Sequence, residues 1–94
     1  MSEISIFLRV YSQDTRRYIP FHADLCDYTV NIALNDDTEL EGGRLLALDG
    51  ATLRSLEREA GTAIVHAGNL VHGVTRIERG IRHSLILFLH SHAQ

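Results

Sequence analysis

Tyr28-Thr29-Val30-Asn31-Ile32-Ala33-Leu34, followed directly by Asn35-Asp36-Asp37, is the stretch on which the fold turns. Alternate residues of an extended chain share a face, so Thr29, Asn31 and Ala33 point one way and Val30, Ile32 and Leu34 the other. That alternation predicts a strand over residues 28–34, and the polar triplet after it predicts a turn. Before it, residues 4–11 form a similar strand candidate. After it, Glu41-Gly42-Gly43 turns the chain again, residues 44–48 read as a strand, and Asp49-Gly50 closes that strand. Residues 51–60 are ambiguous, because Leu53 and Leu56 have helical spacing while the length also suits a strand and a turn. Three further strands are expected at 62–66, 70–77 and 82–90, separated by Ala67-Gly68-Asn69 and Glu78-Arg79-Gly80. Six or seven short strands without a linker or repeat predict one all-β domain over residues 1–94. A jelly-roll or barrel is the expected architecture, since closure removes exposed sheet edges.

Composition narrows the function classes. Of 94 residues, 45% are apolar and 22% charged, enough for a core, yet a core of this size is marginal by itself. A bound metal, a second subunit or flanking sequence is therefore expected to assist. The net charge of −3 supplies no electrostatic footprint for nucleic acid or an anionic membrane. Cys26 is the only cysteine, so no intrachain disulfide can form, and the opening MSEISIFLRV lacks the basic and long apolar regions of a secretory signal. A reducing, cytoplasmic setting is the expectation. The longest apolar run, residues 85–89, is too short to cross a membrane.

The chemistry begins at Phe21-His22-Ala23-Asp24, between two apolar strands. An isolated His-x-Asp in a loop more often caps backbone amides or faces solvent. His72, in the apolar run Leu70-Val71-His72-Gly73-Val74, has its own plain reading as a satisfied core histidine. Taken together, two histidines and one carboxylate match the facial triad of non-haem iron(II), which leaves the opposite coordination positions open. A structural zinc site would ordinarily ask for a fourth protein ligand. His66, across the Ala67-Gly68-Asn69 turn from His72, is expected beside the ligands or facing solvent.

A second signal is Arg82-His83-Ser84. Arg82 and Ser84 share one side of a strand, and His83, Leu85, Leu87 and Leu89 share the other. A guanidinium and a hydroxyl on one side can grip a carboxylate, although an arginine more commonly pairs with an acidic residue at the rim. Leu85, Leu87 and Leu89 make the opposite side apolar too, so something is expected to cover it.

The run His22-Ala23-Asp24, then His72, then Arg82 ten residues later with Ser84 beside it, closely resembles the 2-oxoglutarate- and iron(II)-dependent oxygenases. The similarity extends through Leu8-Arg9-Val10-Tyr11, residues 28–35, Glu41-Gly42-Gly43, residues 61–66 and residues 85–88. Within that superfamily the pattern looks most like the catalytic domain of procollagen lysyl and prolyl hydroxylases. The resemblance implies a cupin-like double-stranded β-helix core, here compact or truncated. It implies Fe(II) on His22, Asp24 and His72, which are then also the catalytic residues. It places the far carboxylate of 2-oxoglutarate on Arg82 and Ser84, with Tyr11 and Asn31 as further walls of the cosubstrate pocket. The implied reaction consumes molecular oxygen, decarboxylates 2-oxoglutarate to succinate and hydroxylates a C–H bond of a peptide side chain or small molecule. The rival expectations are a non-enzymatic cupin-like binding module and an inactive oxygenase fragment. A homo-oligomer or a flanking domain is expected over the outer apolar face.

Overall fold

A computed structural model describes residues 2–91. Among the described residues, ten strands occur in the order β1 (Ser2–Tyr11), β2 (Ile19–His22), β3 (Tyr28–Ala33), β4 (Glu41–Gly42), β5 (Leu45–Asp49), β6 (Thr52–Leu56), β7 (Ala63–Ala67), β8 (His72–Val74), β9 (Ile77–Arg79) and β10 (Arg82–Ser91), with a 3-10 turn at Asp37–Glu39. They form two four-stranded sheets, β1-β10-β3-β7 and β2-β8-β5-β6, and a short ribbon of β4 and β9. The pairings are antiparallel throughout. This is the double-stranded β-helix arrangement of the jelly-roll, as expected from the alternating segments.

The structure settles one open reading, breaks one expected strand and adds another. The ambiguous 51–60 stretch resolves into β6 followed by irregular chain, because Leu45 to Asp49 offers a partner edge with Leu48 opposite Leu53. The strand expected over 70–77 is broken between β8 and β9, where the Thr75 amide turns to the Arg44 carbonyl and Arg76 accepts from Gly43. The segment before Ala23 is a short strand rather than a loop: β2 pairs with β8, Ile19 opposite Val74 and His22 opposite His72. The offset leaves one extra residue in β2, a bulge that accommodates Pro20 on an edge strand and re-aims His22.

The apolar core is small: Tyr11, Leu40, Leu45, Val74 and Ile77 pack together, with Ile19, Leu56 and Ile64 against them. Much of the remaining interior is polar: Thr29, Asn31, Asp37, Arg58, His72, Arg82 and Ser84 are all buried. A buried polar interior needs partners to be tolerated, so each of these groups raises the question of what it binds.

Candidate metal centre and adjoining pocket

His22 and His72 face one another across the β2–β8 pair, with ring centroids 4.4 Å apart. Their close approach depends on Gly73, where a Cβ would lie 2.9 Å from the Ile19 carbonyl oxygen and 3.3 Å from the Phe21 nitrogen. Asp24 follows in the loop after β2. That loop is clasped to the β7–β8 turn by the Asp24 amide donating to Gly68 O (2.8 Å) and the Gly68 amide donating to Asp27 O (2.8 Å). A Cβ at Gly68 would meet the Cys26 carbonyl oxygen at 1.8 Å, so only glycine lets the clasp close.

The protonation pattern follows from the hydrogen bonds. His22 Nδ1 lies 2.8 Å from Pro20 O, and His72 Nδ1 lies 2.8 Å from Leu70 O. A carbonyl can only accept, so each Nδ1 carries a proton and each Nε2 is the atom turned towards Asp24. Those two Nε2 atoms lie 3.2 and 3.4 Å from the Asp24 carboxylate oxygens Oδ1 and Oδ2. Burial pushes the His72 pKa down, with His66 and His22 adding to the shift while the Leu70 bond and Asp24 oppose it; the neutral ring a metal requires is favoured.

Thr29 Oγ1 donates to Asp24 Oδ2 at 2.6 Å, orienting the carboxylate from behind. One donor atom from each of His22, Asp24 and His72 lies within 4.8 Å of the others, the set to which iron(II) is suited. Exposure is uneven: the Asp24 and His72 side chains are 6% and 10% exposed, His22 39%. The cluster is thus anchored on one side and open on the other, unlike a closed structural site. His66 stacks near His72, with centroids 4.6 Å apart, and spends its own Nδ1 on Ala67 O.

No family model matches the chain. A PKHD-type hydroxylase of Nitrosomonas europaea is 26% identical over 98 residues, covering 90% of this chain and 43% of that protein. An oxidoreductase of the 2OG-Fe(II) oxygenase family from Burkholderia pseudomallei has the same fold, with a TM-score of 0.78 at 22% identity over 97% of this chain and 47% of its own. A Pseudomonas putida prolyl-4-hydroxylase gives a TM-score of 0.81 at 19% identity, over 97% and 53% respectively. These likenesses show a shared fold with solved oxygenase structures and a distant sequence similarity to PKHD-type hydroxylases. The chain spans about half the length of the relatives it matches.

A second group of buried polar side chains accompanies the metal cluster. Tyr11 and Asn31 line the same pocket as His22, Asp24 and His72, with Phe7, Arg9, Ile86 and Phe88 along the wall. Burial raises the Tyr11 pKa, opposed by the charges of Arg9, Arg16 and Arg58, so its hydroxyl remains a donor. Arg82 and Ser84 are fully buried on the inner face of β10. Arg82 Nη1 donates to the Asn35 carbonyl and Nη2 pairs with Asp37, while Arg82 Nε and Ser84 Oγ have no hydrogen-bond partner. The acidic partner expected of an ordinary arginine is therefore present, but deep inside rather than at the rim.

Sequence reasoning missed four contributors: Thr29, Gly68, Gly73 and Arg58. The two glycines flank the ligands closely enough to have been suspected. Arg58 gave no signal, lying in the ambiguous 51–60 stretch between two glutamates that make it look solvated.

Proposed function

We propose that this chain is the metal- and cosubstrate-binding barrel of an iron(II)- and 2-oxoglutarate-dependent oxygenase that hydroxylates a C–H bond of a peptide side chain or small molecule. The observation that carries the proposal is the convergence of His22 Nε2 and His72 Nε2 on the Asp24 carboxylate, each ring held through Nδ1 by a backbone carbonyl, in a barrel that also buries Ser84 Oγ and Arg82 Nε without partners. The similarity to a PKHD-type hydroxylase agrees with it.

His22, Asp24 and His72 would hold the iron, which when bound supplies the oxygen-activating chemistry. The protein's own work is positioning. The Pro20 and Leu70 carbonyls lock the two imidazole rings, and Thr29 fixes the carboxylate. The exposed His22 side leaves room for ligands to enter, and Phe7, Ile86, Phe88, Leu45 and Val74 keep the pocket wall apolar. Arg82 and Ser84, at the inner end, would meet the far carboxylate of 2-oxoglutarate. A partner subunit or a flanking segment over the outer sheet face completes the proposal.

The reading is tested by anaerobic titration of Fe(II) and then 2-oxoglutarate into the folded protein. Bidentate chelation should produce a metal-to-ligand charge-transfer band, and succinate formation should follow with a competent substrate. A folded sample that binds Fe(II) yet gives no band would favour a metal-binding module instead, a reading to which the engagement of Arg82 lends weight, since Asp37 takes Nη2 and the Asn35 carbonyl takes Nη1.

A further inference from the structure

Arg9 lies on β1 between Phe7 and Tyr11, and alternation brings all three to the pocket that holds His22, Asp24 and His72. It is the one arginine or lysine among the described residues that line that pocket. The β1–β10 register sets Phe7 opposite Ile86, Arg9 opposite Ser84 and Tyr11 opposite Arg82. A side chain that starts level with Ser84 can turn towards Arg82 or towards the metal cluster. It turns towards the cluster: the guanidinium lies over the Phe7 ring, 4.9 Å from its centroid. Phe7 meets Phe88 edge-on at 5.1 Å, and Phe88 stands opposite Thr29, whose hydroxyl holds Asp24.

Stacking uses the face of a guanidinium and leaves the N–H donors around its edge free. Among the described residues no carboxylate pairs with Arg9. The polar groups nearest the metal cluster are already engaged, the His22 and His72 rings with backbone carbonyls and Thr29 with Asp24. Around Arg9 the wall is largely apolar, from Phe7, Ile19, Ile86 and Phe88. A cation whose place is fixed in advance by an aromatic ring loses little freedom when it takes an anion. The position is also reachable. Arg9 is only half-buried, and the pocket is lined by β1 and β2, the edge strands of the two sheets, which do not pair with each other. The same seam exposes His22.

We infer that Arg9 determines substrate specificity: it binds a carboxylate on the molecule presented to the metal, while Phe7 and Phe88 pack against that molecule's apolar carbons. The substrate class is an organic acid with an apolar body, supplied either as a free acid or as the C-terminus of a peptide. The inference rests on the oxygenase reading for what becomes of the substrate, but the anion site itself is a property of this chain. It is separate from the inner end of the barrel, because folding over Phe7 carries the guanidinium away from Arg82.

Pairs of acid and amide test it. In the Zn(II)-loaded protein, 3-phenylpropanoate is compared with 3-phenylpropanamide, and N-acetylphenylalanine, which ends as a peptide does, with its amide. Binding is read from NMR shifts of β1 and β10 amides. At least one acid should bind about tenfold tighter than its amide, as for one charge-assisted contact at a half-buried site, and the pair with the larger difference identifies the source. Arg9→Met should abolish that preference, whereas Arg9→Lys, which keeps the charge, should retain part of it. In the Fe(II)-loaded protein without oxygen, 2-oxoglutarate should give its charge-transfer band at the same midpoint with either variant. If no band forms but the acid preference follows Arg9, the oxygenase reading fails and the anion site stands. Acids that bind no tighter than their amides overturn the inference, and the band then judges the oxygenase reading separately. An Arg9→Met protein that keeps the preference, or that loses 2-oxoglutarate as much as the acids, overturns it too.

Discussion

The inner and outer faces of the β1-β10-β3-β7 sheet invert the usual arrangement of a half-buried sheet. Across the inner face, Phe88 stands next to Thr29 and His66, Ile86 next to Asn31 and Ile64, and Ser84 next to Arg9 and Ala33. Across the outer face, Ile6, Leu87, Val30 and Val65 make one continuous apolar row, flanked by Ile4 with Leu89 and Leu8 with Leu85. Ile4, Ile6 and Leu8 are 59%, 62% and 57% exposed. A protein gains little by placing Arg58, Arg82 and Ser84 inside and its branched aliphatics outside unless ligands satisfy the first set and another surface covers the second. The proposed ligands and the proposed covering surface would each account for one side of this difference.

The comparison breaks most decisively at the ligands. His72→Ala should remove saturable Fe(II) binding altogether, because it deletes one of three donors and leaves His22 and Asp24 too few to hold the ion; calorimetry under anaerobic conditions reads this directly. Gly68→Ala should come next. Its Cβ cannot coexist with the Cys26 carbonyl 1.8 Å away, so the loop carrying Asp24 must move, costing about 3 kcal/mol of stability and much of the metal affinity. A shifted denaturation midpoint together with weaker Fe(II) binding checks it, and an unchanged affinity would show that Asp24 is held by other contacts.

Thr29→Val sharpens the same comparison more gently. It removes the 2.6 Å bond behind Asp24 while preserving shape, and Fe(II) affinity should drop by about tenfold with little change in fold. The smallest effect belongs to the outer face. Ile6→Ser should alter the stability of the uncovered chain by less than about 0.5 kcal/mol, since the side chain is mostly in water already. Thermal unfolding at several protein concentrations tests this. A larger, concentration-dependent loss would mean that a second copy covers the row in solution.

Several of these features were legible in the chain itself. Period-two alternation marked β3 and β10 closely, and it assigned Arg82 and Ser84 to one side with Leu85, Leu87 and Leu89 on the other, as found. The ligand types were legible as well, because histidine and carboxylate in apolar surroundings are few. Less legible was β2, whose Pro20 and single-residue bulge erase the alternation that would have announced it. Nor did spacing reveal that Leu70 and Pro20 carbonyls orient the rings.

What the sequence by itself determined is local: which residues alternate, where the turns lie, and that His22, Asp24, His72 and Arg82 are the candidates for its chemistry. The tertiary structure decided the partners. Arg82 meets an aspartate 45 residues away, and Arg58, reading as a solvated residue between glutamates, is folded into the interior against Asn31, 27 residues away. Periodicity reports the direction of a side chain relative to its own strand, whereas burial and pairing depend on which other strand closes over it, and that is a property of the barrel as a whole.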